Sequence, residues 1–303
     1  MLNKGFSISL NGYPVKTKNF RWYMSTYYSV NLNKVQTDDA RNYNLNDYLN
    51  GTAVVSGQPI STFYSYKFLG LNPQNGAPMF DDWEDRWHLL QGKTLDEVVP
   101  MILVNSGTRD PKFSGDLNNT FTYKNWSLSL NFSYSLGSKV RLFEMYGPII
   151  NGISAAANVR EEFLDRWQVP GDEKYTVYPS IISPSSPDYE HYRLHYSAPQ
   201  RAVGPNSGVP AFANNVWQMY DDSDLRVVSG NYLKLQSLSF SYRLNDRLLR
   251  KTPFTQLSIS FNTHNCFTIS AKELRGQDPS QAGFADAGLS IRPSYTIGLN
   301  VSF

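Results

Sequence analysis

Apolar and polar residues alternate with a period of two along several stretches of the chain. Between positions 126 and 136 the odd positions are all Ser or Asn, and the even positions are all apolar: Trp126, Leu128, Leu130, Phe132, Tyr134 and Leu136. Because successive side chains of a β-strand point to opposite faces, this pattern predicts a strand with one apolar and one polar face. The same alternation occurs over 20–32 and 295–303. The chain is therefore predicted to be all-β.

Weaker alternation predicts more strands, so that about nine are expected in all. They lie at 5–12, 60–69, 77–83, 112–123, 227–244 and 254–265. Each long stretch has close to the ~9–11 residues that a tilted strand needs to cross a bilayer. The expected fold is an antiparallel transmembrane β-barrel fragment.

The connections between these strands fall into two length classes. Short turns are predicted at 12–19, 71–76, 124–125 and 245–253, and long loops at 34–59, 84–110, 145–226 and 267–289. Outer-membrane barrels have short turns on the periplasmic side and long loops outside, whereas a soluble sandwich has no reason to sort its loops. The loop lengths therefore favour an outer-membrane protein.

One short helix is predicted in the longest loop. Asn158 followed by Glu161 resembles a capping box, and Pro170 would end the helix. The apolar residues Phe163 and Trp167 lie between them.

The predicted strands do not close a barrel. Nine is an odd number, and an open sheet edge leaves unpaired backbone groups in hydrocarbon. We therefore expect 1–303 to be the C-terminal portion of a receptor barrel, with a plug domain and N-terminal strands outside this sequence. An in-frame stretch encoding them is expected upstream of Met1.

The composition agrees with a membrane sheet. The 28 Lys and Arg residues nearly balance 26 Asp and Glu residues, so no basic surface for nucleic acid is expected. Charged residues make up only 18% and aromatic residues 14%, which is typical of barrels with aromatic girdles. The single cysteine, Cys266, excludes an internal disulfide.

No residue pattern indicates an enzyme, a metal site or a cofactor. A Gly-x-Ser-x-Gly elbow is absent, and His191 and His195 lack the acidic residue that a zinc-binding helix carries between them. The acidic run from Asp81 to Asp85 lacks the spacing and glycine of an EF-hand loop.

Aromatic residues in or beside the long loops are the candidate ligand contacts. They are Trp83, Trp87, Trp217 and Tyr220. Such rings can stack on the apolar faces of sugars. The competing interpretation is ordinary loop packing or a belt at the membrane interface.

The C-terminus resembles an outer-membrane assembly signal. The candidate residues are Tyr295, Gly298, Val301 and the terminal Phe303. An exposed alternating strand that ends in an aromatic residue offers an edge with which insertion machinery can pair.

Several motifs in order give the chain a resemblance to SusC/RagA-type TonB-linked outer-membrane proteins over nearly its whole length. They are Gly70–Gly76 with Pro78, Arg166-Trp167 with Pro170-Gly171-Asp172, Gly230–Leu235 running into Leu238–Tyr242, Gly276–Pro279, and Arg292-Pro293. Each motif is weak alone, and their order and spacing carry the resemblance.

The resemblance implies a TonB-dependent receptor in the outer membrane of a Gram-negative bacterium. Such a protein has a barrel of about 22 strands with an N-terminal plug. It is energised through the TonB complex and is capped by a SusD-like surface lipoprotein. The implied activity is import of oligosaccharides or peptides. No plug and no TonB-contacting segment occur in these 303 residues.

Two other functions are compatible with parts of the sequence. An outer-membrane adhesin or polymer-cutting enzyme would use the long loops, but it would need a convergent acid/base pair. A soluble all-β carbohydrate-binding module would remain monomeric in water without detergent.

Overall fold

The structure, a computed structural model, describes residues 1–37, 43–81, 84–149, 158–181, 215–280 and 292–303. Its strands are β1 (Leu2–Lys16), β2 (Phe20–Lys34), β3 (Thr62–Tyr66), β4 (Gly70–Leu71), β5 (Pro78–Met79), β6 (Leu103–Thr108), β7 (Phe113–Tyr123), β8 (Trp126–Leu136), β9 (Lys139–Arg141), β10 (Val227–Ser229), β11 (Tyr232–Arg243), β12 (Gln256–Ser270) and β13 (Ser294–Ser302). Its α-helices are α1 (Leu45–Leu49), α2 (Leu95–Ile102), α3 (Val216–Asp221) and α4 (Asp246–Leu249). Short 3-10 helices lie at Glu84–Leu89, Gly147–Ile149, Glu161–Asp165, Asp172–Lys174, Asp224–Arg226 and Lys272–Leu274. Within these ranges, no helix is long and apolar enough to span a bilayer.

Seven long strands form one antiparallel sheet in the order β1-β2-β7-β8-β11-β12-β13. The predicted all-β, antiparallel fold class is confirmed, but within the described ranges this sheet has seven strands instead of the expected nine. The stretches predicted at 60–69 and 77–83 lie outside this sheet, where β3 pairs with β6 and β4 pairs with β5. All five residues of β3 are buried. β3 is therefore a buried strand within the first long connection. Its short apolar run was wrongly predicted to be a strand of the main sheet.

The register of the sheet gathers apolar side chains on one face. Phe240 lies opposite Leu128 on one side and opposite Phe261 on the other, and Phe261 lies opposite Ile297. This face is open, and Ile297 is 76% exposed. A continuous exposed apolar face is rare on soluble monomers, where it would favour aggregation. A face of this kind needs a lipid or protein cover.

The other face of the same strands is polar. Ser241 lies between Ser127 on β8 and Ser260 on β12, and Ser260 lies opposite Gly298 on β13. Hydrogen bonds join polar side chains of this face across neighbouring strands. For example, the Ser239 hydroxyl donates to the Asn262 side-chain oxygen at 2.6 Å. The sheet therefore separates an apolar surface from a hydroxyl- and amide-rich surface.

A bulge in β11 preserves this separation. Against β8 the register shifts between Leu235 and Ser237, so that Gln236 is an extra residue in β11. Against β12 the same position faces two residues, Asn265 and Cys266. One extra residue changes which positions face a given side. The shift therefore keeps Leu235 and Leu238 on the apolar face, although one position is odd and the other even. The Gln236 amide donates to the Ser133 hydroxyl at 2.7 Å.

Aromatic side chains form ring contacts near both ends of the sheet. Trp126 stacks on Phe240 at 5.3 Å between centroids, close to the turn that joins β7 to β8. Toward the other end, Tyr28 stacks on Phe113 at 6.2 Å. This arrangement matches the aromatic girdles expected from the composition.

Short and long connections alternate strictly between the seven strands. Residues 17–19, 124–125 and 244–255 connect strands at one end, and residues 35–112, 137–231 and 271–293 connect them at the other. The predicted sorting of connections is therefore confirmed. The loops expected at 34–59 and 84–110 are parts of one connection, because the two intervening stretches do not join the sheet. The predicted turn at 71–76 joins β4 to β5 within it.

The helix expected after Asn158 is only a 3-10 turn. It covers Glu161–Asp165, follows Arg160 instead of Asn158, and leaves Leu164 74% exposed. Two α-helices in the first long connection begin with capping boxes that the sequence analysis did not use. Asp47 accepts from the Asn44 N–H before α1, and Glu97 accepts from the Thr94 N–H before α2, both at 2.8 Å.

Candidate functional site

The long connections pack together, and they contain most of the buried apolar residues. The first connection contributes Tyr48, Leu49, Ala53, Tyr64, Tyr66, Phe80, Val99 and Leu103, and the second contributes Met145, Tyr146, Phe163, Val216, Trp217, Met219 and Tyr220. We call this cluster the loop core. Because each connection buries its apolar side chains against the other, the loops form a packed unit at one end of the sheet.

A buried carboxylate anchors α3 in the loop core. Asp221 accepts hydrogen bonds from the backbone N–H groups of Met145, Tyr146 and Gly147, each at 2.8 Å. Burial raises the pKa of Asp221 to about 6, although Arg226 and the three N–H donors favour the ionised form. The contact holds the end of α3 against the chain that follows β9.

The next residue ties the two connections together. Asp222 pairs with Arg141 at 2.9 Å, and Arg141 also donates to the carbonyl oxygens of Leu49 and Tyr64 at 2.8 and 2.7 Å. Burial raises the pKa of Asp222, and the Arg141 guanidinium opposes that rise. A single arginine thus crosslinks the first connection and both ends of the second.

Two motifs that lie far apart in the sequence meet beside the loop core. Gly76 lies against the indole ring of Trp167, and the Ser180 N–H donates to the Gly76 carbonyl at 2.9 Å. The Ser180 hydroxyl donates to the Asn75 carbonyl at 2.6 Å. The turn of 70–76 and the segment 166–180 therefore stabilise each other.

The third long connection, 271–293, is attached to the sheet by a buried ion pair. Lys234 on β11 pairs with Asp278 at 2.9 Å, with both side chains buried. Burial opposes the charge of Asp278, but hydrogen bonds from Ser280 and Lys234 outweigh it and lower the pKa of this carboxyl. The neighbouring Gln277 side chain accepts from the Phe143 N–H and donates to the Arg141 carbonyl.

A cavity of about 400 Å³ opens between the segment 158–181 and the turn at 271–275. Its floor includes Tyr220 and Arg226, and Lys272 and Arg275 stand on one wall. The Tyr220 hydroxyl and the Arg226 Nε are buried without a hydrogen-bond partner among the described residues. Such orphaned donors are uncommon in folded proteins, but both atoms have almost no accessible surface and lie behind the cavity lining. The cavity is the candidate binding site because of its size and its mixed cationic and apolar lining.

The structure places two of the four predicted ligand contacts in the interior. Trp217 is 4% exposed and packs in the loop core, so its ring faces are covered by protein and not open to a sugar. Tyr220 is fully buried, and only its position on the cavity floor connects it with a binding surface. Trp83 lies outside the described residues, and Trp87 is described only by its backbone in Glu84–Leu89. Ligand contact by these two residues stays a prediction.

Sequence reasoning did not single out Arg226 or Glu162. Arg226 is a large, almost fully buried side chain, and Glu162 binds Arg160 at 2.6 Å. Burial opposes the charge of Glu162, but its hydrogen bonds to Arg160 and to its own backbone, together with the charges of Arg160 and Arg226, outweigh burial and lower the pKa of Glu162. Charged residues are mostly solvated, so the sequence carried no signal that these two are buried.

The acidic and histidine residues that were weighed as metal ligands form no cluster in the described part of the chain. There, no three His, Cys, Asp or Glu residues gather in a way that could hold a metal ion. Asp81 binds Arg86 at 2.5 Å, and Asp82 lies outside the described residues. His191 and His195 also lie outside them.

The last strand presents its apolar side chains outward. Among the described strands β13 pairs only with β12, and Tyr295 and Phe303 are strongly exposed. Val301 lies opposite Leu257. A Cβ at Gly298 would come within 2.8 Å of the Ser260 hydroxyl oxygen. An assembly signal made by these residues stays a prediction.

Comparisons with known proteins find similarity to TonB-dependent receptors. No family model matches it. TonB-dependent receptor P3 of Formosa agariphila is 23% identical over 330 residues, and TonB-dependent receptor P39 of the same organism is 21% identical over 358 residues. Each match covers 99% of this chain but only 28% and 30% of the relatives, so the chain spans less than a third of their length.

Solved structures of similar fold agree with these relatives. The RagAB peptide transporter matches 99% of this chain and 29% of its own with a TM-score of 0.61 at 16% identity. The RagAB peptide importer in its open-open state matches with a TM-score of 0.63 at 17% identity and covers 28% of its own chain. These similarities confirm the predicted resemblance to RagA-type TonB-dependent receptors. The names of the relatives describe receptors and importers rather than enzymes.

Proposed function

We propose that the chain is the C-terminal portion of the β-barrel of an outer-membrane importer. The observation that carries this proposal is the sheet itself. Its apolar face is exposed, its other face is polar, and its connections are sorted by length between the two ends. Lipid would cover the apolar face, and the polar face would line an aqueous interior. The relatives named TonB-dependent receptor support the same assignment.

In this proposal the rest of the importer lies in polypeptide outside these 303 residues. That part would hold further strands, a plug domain and the segment that contacts the TonB complex. The backbone groups at the open edges of β1 and β13 would then pair with those strands, as a bilayer requires. The packed loop unit would face the outside.

A SusD-like surface lipoprotein and an oligosaccharide or peptide substrate complete the proposal. The loop unit offers a rigid surface on which a partner can rest, since Arg141 and Asp221 crosslink it. Similarity to a structure named as a peptide transporter favours peptides over oligosaccharides.

The bilayer assignment can be tested by fluorescence quenching in brominated lipids. The protein encoded by the complete gene would be reconstituted with a single tryptophan at position 126 or at position 217, the other tryptophans being changed to phenylalanine. Trp126 lies on the apolar face and should be quenched strongly, whereas Trp217 lies in the loop core and should not be. Equal and weak quenching at both positions would refute the membrane assignment and favour the soluble carbohydrate-binding module.

Transport can be tested in cells. Deleting the gene should abolish growth on one class of peptide or oligosaccharide as sole carbon source, and inactivating TonB should have the same effect. Growth unchanged on every such source would argue for the surface adhesin.

A further inference from the structure

We propose that the end of the sheet with the short connections binds the headgroups of anionic phospholipids. Five cations in the connections 17–19, 124–125 and 244–255 would make the contacts. They are Lys18, Lys124, Arg247, Arg250 and Lys251. We call this set the cationic rim. The proposal rests on the membrane assignment made above and adds to it the class of lipid that the protein would gather.

Charge is distributed very unequally between this end and the rest of the chain. Three more cations, Lys16, Arg21 and Arg243, lie at the ends of the adjoining strands, so that eight Lys and Arg residues gather here. Asp246 is the one acidic residue within 16–21, 123–126 and 243–256. The rest of the chain has 20 Lys and Arg residues and 25 Asp and Glu residues. The near-neutral total therefore conceals a strongly positive end.

The cations of the rim are accessible to an anion. All five are exposed, and among the described residues none of them forms an ion pair. Asp246 is exposed as well. An anion that approaches this end therefore meets several uncompensated positive charges and a single negative one.

Aromatic side chains set the level of the rim in the membrane. Tyr123 and Trp126 lie opposite each other on the apolar face, and both are exposed. Such rings lie at the boundary between the hydrocarbon and the headgroups. Lys124 follows Tyr123, and its Nζ lies 5.4 Å from the centroid of that ring. A cation just beyond an interfacial ring reaches the level of the lipid phosphates.

The rim extends along the edge of the sheet as a row of charged turns. The strand order makes 17–19, 124–125 and 244–255 the ends of three successive hairpins. Adjacent strands lie about 4.8 Å apart, so successive hairpins are about 10 Å apart. Each hairpin can therefore meet a headgroup of its own. Clusters of Lys and Arg beside a membrane span are typical of proteins that bind anionic lipids. The position of the row beside interfacial rings favours lipid over an acidic soluble protein.

Selective quenching tests the class of lipid. The protein encoded by the complete gene, with Trp126 as its single tryptophan, would be reconstituted in equal mixtures of phosphatidylglycerol and phosphatidylcholine. Both lipids carry a phosphate, but only phosphatidylglycerol has a net negative charge. Bromine would be placed on one lipid at a time, and the ratio of the two quenching strengths measures the local enrichment.

We expect phosphatidylglycerol to be enriched at least about threefold around Trp126. The enrichment should disappear in roughly 1 M sodium chloride, because salt screens the attraction between exposed charges. Equal quenching by the two lipids at low salt would overturn the proposal. Enrichment that persists at high salt would also overturn it, because the preference would then not depend on the charge of the rim.

Matched variants test the location. The rim variant combines Lys124→Gln, Arg247→Gln, Arg250→Gln and Lys251→Gln, and the control combines Lys67→Gln, Lys174→Gln, Lys272→Gln and Arg275→Gln on the long connections. All eight side chains are exposed, so both variants should fold. The rim variant should lose the preference for phosphatidylglycerol, whereas the control should keep it. Equal losses in both variants would show that overall charge, and not the rim, selects the lipid.

Membranes in which both lipids are brominated separate this proposal from the membrane assignment. Strong quenching of Trp126 there, without any preference for phosphatidylglycerol in the mixtures, would keep the membrane assignment and reject the cationic rim. Weak quenching of Trp126 in the fully brominated membrane would reject the membrane assignment itself, and the cationic rim with it.

Discussion

Gly76 and Trp167, which belong to different sequence motifs on different long connections, pack directly against each other. Gly76 has a φ of +69°, and a Cβ at this position would lie 2.4 Å from the indole ring. Only glycine both adopts this backbone conformation readily and leaves room for the ring. The requirement for glycine at position 76, the end of the motif of 70–76, therefore comes from Trp167, a residue of another motif.

Gly76→Ala should destabilise the loop core by more than backbone strain alone. Gly92 is a matched control, because it has a φ of +71° and no atom within 4 Å of its added Cβ. We expect Gly92→Ala to cost about 1 kcal/mol of unfolding free energy and Gly76→Ala at least about 2 kcal/mol more. Urea unfolding in detergent would measure the difference. Similar losses for both variants would show that the indole contact has no energetic weight.

Breaking the buried ion pair between Lys234 and Asp278 should be costly. Asp278→Asn leaves the Lys234 ammonium buried without its counter-charge, so we expect a loss of about 3 kcal/mol. Asp81→Asn breaks the exposed pair with Arg86 and should cost at most about 1 kcal/mol. Thermal midpoints of the two variants make the comparison. If Asp278→Asn proves as mild as Asp81→Asn, the pair does not attach the third connection.

Asp221 should make stability depend on pH in an unusual direction. Its pKa is raised to about 6, above the ordinary value of about 3.9, so the folded state holds a proton that the unfolded state has released between these values. The unfolding free energy relative to Asp221→Asn should therefore fall by up to about 3 kcal/mol as the pH rises from 4 to 6, and stay level above that. A rise over this range would mean that the three N–H donors lower the pKa instead.

Deleting Gln236 should damage the sheet far more than replacing it. Without the extra residue, either Leu235 or Leu238 must turn to the polar face, because one residue reverses every side chain along a strand. Gln236→Ala keeps the residue count and loses only the hydrogen bond to Ser133, which should cost about 1 kcal/mol. Refolding yield in detergent would separate the two variants. Equal yields would show that β11 tolerates either register.

The sheet was largely predictable, because its signal is local and periodic. Alternation over 126–136 depends only on which face each residue of β8 presents, and that is set by backbone geometry. The prediction that 60–69 and 77–83 belong to the main sheet was wrong, because a short apolar run looks the same in a membrane strand and in a buried loop strand. Only their pairing, β3 with β6 and β4 with β5, distinguishes them.

The sequence by itself determined the strand faces, the sorting of short and long connections, and the family resemblance. The tertiary structure decided where the loops pack. The Asp221 contact with Met145 joins residues 76 positions apart, and nothing in the local pattern of either segment reveals it. For the same reason only the structure showed that Trp217 is buried and that Tyr220 lies on a cavity floor beside Arg226. Periodicity reports which way a side chain points along one strand, whereas burial in a loop depends on which distant segment covers it.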